Sequence, residues 1–152
     1  MEHASGTDEM IIRQIFNQLA QAWDTQDVGL FSSLFTSDVD YITFIGEHIK
    51  GLDANIKLHS TLWNSYFMKG ATLEGEILSI KFPDRNTSVM IARGAVKLRF
   101  HKKTPVNKLS INTTVLVKQD GVWKICSFQN TRIIGYNIFM RFMMWIDKKM
   151  AK

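Results

Sequence analysis

One histidine in this chain is spaced to do chemistry. His59 falls in a segment where Ile56, His59, Trp63 and Tyr66 recur at helical spacing, so its imidazole is expected on the core-facing stripe of a helix. Histidine titrates near neutrality, and no other group suited to acid–base work falls on such a stripe. His59 is therefore the candidate acid–base residue. Trp63 follows four residues on and shares its face. Trp23 from the first helix, Tyr41 from the first strand, and Asn112 and Gln129 from two later strands complete a candidate ligand pocket. Trp and Tyr rings can line an apolar site while each offers one hydrogen bond. Amides on a core-facing strand must find partners. The same residues also admit a plainer reading, a packed core whose histidine is satisfied by Tyr41 or Gln129. Spacing alone does not separate the two. Arg93 lies opposite the more apolar face of its strand, where solvent or a second copy is expected to meet it.

Other chemistries lack their residues. His3, His48, His59 and His101 are scattered without metal-ligand spacing, so no metal is expected. No glycine loop for phosphate, dinucleotide fingerprint or nucleophile elbow occurs, and no cofactor is expected. The single Cys126 has no internal disulfide partner and reads as a small buried or interface residue.

The elements that must position these groups follow from periodicity. Ile12, Ile15, Phe16, Leu19, Ala22 and Trp23 predict an amphipathic helix over about 8–24, with Thr7 or Asp8 at its start. Asp27 caps a short second helix carrying Leu30, Phe31, Leu34 and Phe35. Val39–Ile45 reads as a strand. Gly51 and Asp53 open a third helix, with Gly70 as its stop. Period-two patterning then predicts strands at Leu73–Phe82, Thr87–Phe100 and Lys108–Lys118, with a loop at His101–Asn107. Asp120-Gly121 is a hairpin turn into a last strand, with Trp123, Ile125, Ser127, Gln129 and Thr131 expected on one face. Helices followed by an antiparallel meander make an α+β domain.

With 152 residues, 45% hydrophobic and 22% charged, the chain suits one globular domain. The unpaired cysteine and a polar start point to a cytoplasmic setting. Residues 1–80 hold 4 Lys and Arg against 11 Asp and Glu, whereas residues 81–152 hold 15 against 3. Lys97, Arg99, Lys102, Lys103 and Lys108 thus invite an anion or nucleic-acid reading. No nucleic-acid motif accompanies them, and solvent-facing strand cations are the favoured explanation. Residues 1–7 are expected to be disordered. Residues 133–152 form an apolar extension, too interrupted for a membrane span and expected to be helical. It could cap the cavity, extend a dimer interface or lie in a membrane surface, and packing on the domain or a partner is favoured.

Five stretches carry a family resemblance. They are Trp23-Asp24-Thr25-Gln26-Asp27; Leu34-Phe35-Thr36-Ser37-Asp38; Thr43-Phe44-Ile45-Gly46; Gly51 with Ile56 and His59; and Asp120-Gly121-Val122-Trp123-Lys124-Ile125 running on to Gln129-Asn130-Thr131. Over about residues 8–132 the chain resembles the nuclear transport factor 2-like (SnoaL-like, cystatin-like) superfamily, nearest its SgcJ/EcaC-type group. The resemblance implies a cone-shaped fold with a curved, mainly antiparallel sheet wrapped around N-terminal helices, a cavity in the cone, and commonly a homodimer through the sheet. It implies a pocket protein that binds or transforms a small apolar ligand, or alternatively a homo-oligomeric association module, and leaves open whether the chain is an enzyme. Close relatives often carry His where this chain has Gln129, which cannot shuttle a proton. Ketosteroid isomerases of this fold use a carboxylate where this chain has Thr43, so their mechanism does not transfer.

Overall fold

A computed structural model describes residues 6–105, 108–135 and 138–150. Helix α1 (Gly6–Thr25) buries the stripe Ile12, Ile15, Leu19, Ala22 and Trp23. Gly6 and Thr7, expected to be disordered, are helical, and residues 1–5 lie outside the described residues. Helix α2 (Val28–Ser33) is capped by Asp27, whose side chain accepts from the Leu30 amide at 2.9 Å. Strands β1 (Phe35–Ile42) and β2 (His48–Lys50) follow, then helix α3 (Leu52–Trp63). Strands β3 (Thr72–Asp84), β4 (Thr87–Lys97), β5 (Ser110–Gln119) and β6 (Val122–Arg132) precede helix α4 (Ile138–Met150).

Among the described residues the strands form one curved sheet in the order β2-β1-β6-β5-β4-β3. Strands β3 to β6 make the expected antiparallel meander. Strand β1 joins it by pairing parallel to β6, a partner that no local pattern signals. The meander's long first hairpin has Gly75 opposite Gly94. A Cβ on Gly94 would come within 2.5 Å of the Glu74 carbonyl, and one on Gly75 within 3.4 Å of Phe16 on α1. The glycine pair lets the backbones draw together where α1 crosses the sheet.

Several boundaries move. The first strand runs 35–42 rather than 39–45, because Phe35 pairs with Ile125 before the register breaks ahead of Asp40. The loop expected after Gly46 contains β2, a three-residue edge strand too short to show periodicity. Helix α3 stops at Trp63, where the Asn64 side chain donates to the Ser60 carbonyl at 2.8 Å. Turns then lead to Gly70, leaving Tyr66 and Phe67 exposed rather than on the core stripe. Strand β4 ends at Lys97, and a turn closed by the His101 amide on Leu98 follows. Within the expected loop at 101–107, residues 106–107 lie outside the described residues. The extension is helical over 138–150, and residues 138–150 include no buried one.

The bulged strand β6 brings the largest correction. Val115 pairs with Ser127, yet Leu116 pairs with Ile125, so Cys126 is an extra residue without a counterpart. One inserted residue reverses every side chain after it. Trp123 and Ile125 point into the core as expected, but Phe128, Asn130 and Arg132 take the inward positions beyond the bulge. Gln129 and Thr131 face out and are exposed.

Asp8 fastens the first helix to the sheet. Its Oδ1 accepts from Trp123 Nε1 and from Lys118 Nζ, both at 2.8 Å. Removing this carboxylate leaves a buried indole N–H unpaired. Asp8→Ala is expected to lower unfolding free energy by about 2 kcal/mol in urea titrations. Asp8→Asn, which can still accept from the indole, should cost less. Equal losses in the two variants would count against this account.

Candidate functional site

The inward face of α3 presents His59 to a cage of rings. Its imidazole centroid lies 4.3 Å from Phe31, 5.1 Å from Tyr41, 5.6 Å from Trp23 and 5.7 Å from Trp63. Helix α2 supplies Phe31, α1 supplies Trp23 and β1 supplies Tyr41. Tyr41 stacks on Phe128 of β6 at 4.8 Å, so the bulged strand completes the wall. His59 is only 2% exposed.

The ring has a defined tautomer. His59 Nδ1 sits 3.0 Å from the Asn55 backbone carbonyl one turn back on α3. A carbonyl only accepts, so Nδ1 carries the hydrogen and Nε2 presents a lone pair. Burial among rings disfavours the charged form and lowers the His59 pKa to about 4, against a smaller raising effect of the Asn55 hydrogen bond. At neutral pH His59 is therefore a neutral acceptor or base, not an imidazolium acid. Burial also pushes the Tyr41 phenol up, so it stays protonated.

Other polar groups in this region are left without protein partners. Asn55 is 0% exposed, and neither its amide nitrogen nor its amide oxygen makes a hydrogen bond. The Trp63 indole N–H is likewise buried and unpaired. Buried polar atoms are normally satisfied, so these three are available to a further hydrogen-bonding group.

The sequence-derived residues divide as follows. Trp23, Tyr41, His59 and Trp63 come together in the cage. Asn112 lies on the inward face of β5 beside Asn130, its register partner, and accepts from the Thr114 hydroxyl at 3.3 Å. Gln129 is not brought to this site, because the Cys126 bulge turns it outward. Arg93 is exposed on the other face and pairs with Glu76. His59's ring nitrogen is held by Asn55, not by Tyr41 or Gln129. Phe31 and Phe128 also form the cage, Asn55 holds its histidine, and Asn130 and Arg132 take inward positions on β6, none of which spacing alone singles out as site residues. Asn55 had a legible signal only relative to His59, its place four residues before it. The β6 residues had none, because strict alternation assigns them to the opposite face.

No group of three or more His, Cys, Asp or Glu among the described residues is arranged to hold a metal ion. Asp24 on α1 is committed to the Leu73 backbone amide at 2.9 Å. The cage itself contains no carboxylate, so its chemistry is that of a neutral imidazole, a phenol, an indole and an amide.

A model of the SnoaL-like domain matches residues 5–129. The chain belongs to this SnoaL-like family. Among curated proteins, none matches the sequence. Solved structures confirm the cystatin-like, nuclear transport factor 2-like fold. A domain of unknown function with a cystatin-like fold from Nostoc punctiforme is 27% identical, with a TM-score of 0.80, and the match covers 96% of this chain and 88% of that one. A putative scytalone dehydratase from Novosphingobium aromaticivorans is 18% identical, with a TM-score of 0.69 over 87% of this chain and 89% of that one. A putative calcium/calmodulin-dependent protein kinase type II association domain from Thiobacillus denitrificans is 9% identical, with a TM-score of 0.68 over 79% and 93%. At these identities the last two establish a shared fold alone.

The depressed His59 pKa has a measurable consequence. Unfolded, this histidine takes a proton near its ordinary 6.5; folded, it resists until about 4. Between those values the unfolded chain binds more protons, so stability falls as pH drops from 6.5 to 4. The loss amounts to about 3 kcal/mol when fully developed. His59→Phe removes it. Urea titrations at pH 7 and pH 4 should show the difference between wild type and variant shifting by about that amount in the variant's favour. An unchanged difference would contradict a buried neutral histidine.

Proposed function

We propose that this chain is a small-molecule pocket protein of the SnoaL-like type, with the SgcJ/EcaC-type group as its nearest kin, and that its ligand enters the cone toward His59. The supporting observation is the state of His59: Nδ1 is committed to the Asn55 carbonyl, while Nε2 presents an unshared pair inside an aromatic cage. The ligand that fits has a flat apolar body for the rings of Trp23, Tyr41, Trp63 and Phe128. It carries a hydroxyl or enolisable group whose proton His59 accepts. The unpaired donors of Trp63 and Asn55 suit a carbonyl oxygen on the same ligand. If a reaction follows, His59 is the base and catalysis requires its neutral form. The scytalone dehydratase-like neighbour is consistent with such chemistry in this fold.

Paired probes test the reading. Wild type is expected to bind 2-naphthol at least about tenfold more tightly than naphthalene, because only the former donates to Nε2. His59→Phe should bind both alike while retaining a cooperative melt. A hydroxyl preference that survives in the variant would remove His59 from the site. For a substrate found by screening, His59→Ala is expected to abolish turnover and leave the fold intact.

A second reading, a homo-oligomeric association module, is favoured by one observation. Helix α4 holds Phe139, Phe142, Met143, Met144 and Trp145 all exposed, and the outer sheet face adds Leu78 and Ile111. A surface this apolar is suited to a second copy. Size-exclusion with light scattering should then give a dimer at micromolar concentration that shifts toward monomer when residues 138–152 are removed. A monomeric full-length chain would eliminate this reading.

A further inference from the structure

The inward column of β6 continues past the aromatic cage. Phe128, Asn130 and Arg132 follow one another on the cone side of the strand, and the register with β5 is regular from Ser127 to Arg132. Four residues of strand separate Phe128 from Arg132, about 13 Å of travel. Arg132 Nε is buried and makes no hydrogen bond. Its guanidinium carbon lies 4.6 Å over the Phe44 ring, and no carboxylate pairs with it among the described residues. The Asn130 amide oxygen, between Arg132 and the cage, is also buried without a partner. An Arg Nε taken out of water without an acceptor is costly, and stacking on one ring offsets only part of that.

We propose that Arg132 is a carboxylate-binding residue at the far end of the cavity, so that the ligand is an amphipathic acid. This rests on the cavity reading above and adds its polar end. The apolar body lies against Tyr41, Phe128 and His59. The carboxylate is clamped by the Arg132 fork, whose planar donors match two carboxylate oxygens. Asn130 and Asn112 serve a hydroxyl or carbonyl between the two ends. A carboxylate fits better than a phosphate, because this inward column brings one fork and neutral amides rather than several cations.

The test compares two isosteric probes, 6-phenylhexanoate and 6-phenylhexanamide, by calorimetry on the full chain. Wild type is expected to prefer the acid by about tenfold. Arg132→Gln should erase that preference and keep the amide affinity, which also reports that the variant is folded. Arg132→Lys should restore part of the preference. Arg141→Gln with Lys148→Gln, on the exposed helix α4, should change nothing. An acid preference that persists in Arg132→Gln, or one lost in the α4 variant, overturns the Arg132 assignment while leaving the cavity reading intact. So does amide binding in wild type with no gain for the acid. If neither probe binds wild type, the cavity reading fails and this proposal falls with it.

Discussion

The inward face of the sheet depends on one unpaired residue in a central strand. Strand β6 lies between β1 and β5, so its side chains reach both halves of the sheet. The bulge at Cys126 divides it into two segments of opposite facing. Before the bulge, Trp123 and Ile125 point into the core, and Trp123 donates to Asp8 on α1. After it, Phe128 stacks on Tyr41, and Asn130 and Arg132 take the inward positions. Without the extra residue, Ser127, Gln129 and Thr131 would face inward, and the cage would lose the ring that holds Tyr41. The Cys126 thiol donates to the Val115 carbonyl at 3.5 Å, and burial raises its pKa, so it serves the bulge as a small inert side chain.

Around this strand, aromatic packing and polar chemistry are combined in a small volume. Rings from α1, α2, α3, β1 and β6 converge, so the cage is also a large part of the hydrophobic core. Edge-to-face contacts such as Trp23 with Trp63 and Trp23 with His59 fix the angles of its walls. A histidine placed there is kept neutral by desolvation, and its orientation is set by a backbone carbonyl rather than by a second side chain. This differs from sites in which a carboxylate holds the imidazole and stabilises its charged form. Here the surroundings stabilise the uncharged ring.

The chain's two ends stand in contrast. The first helix is tied down by Asp8 and by a full apolar stripe. The last helix contributes no buried residue, yet it exposes Phe139, Phe142, Met143, Met144 and Trp145. Of its cations, Lys149 lies 4.3 Å over the Trp145 ring. No helix among the described residues is long and apolar enough to cross a membrane.

Sequence alone determined the α+β class, the three leading helices and the antiparallel meander. These rest on periodicity, capping and turn chemistry, which act over a few residues: Asp27 caps α2, and Asp120-Gly121 turns with both φ angles positive. Only the tertiary structure decided the parallel pairing of β1 with β6, the short strand β2 and the outward turn of Gln129. It alone brought Asn55, Asn130 and Arg132 inward. The physical reason is the period of two in a strand. A single inserted residue, invisible in the alternation of Val122–Arg132, exchanges the two faces beyond it, and only pairing with Val115 and Leu116 reveals where it sits.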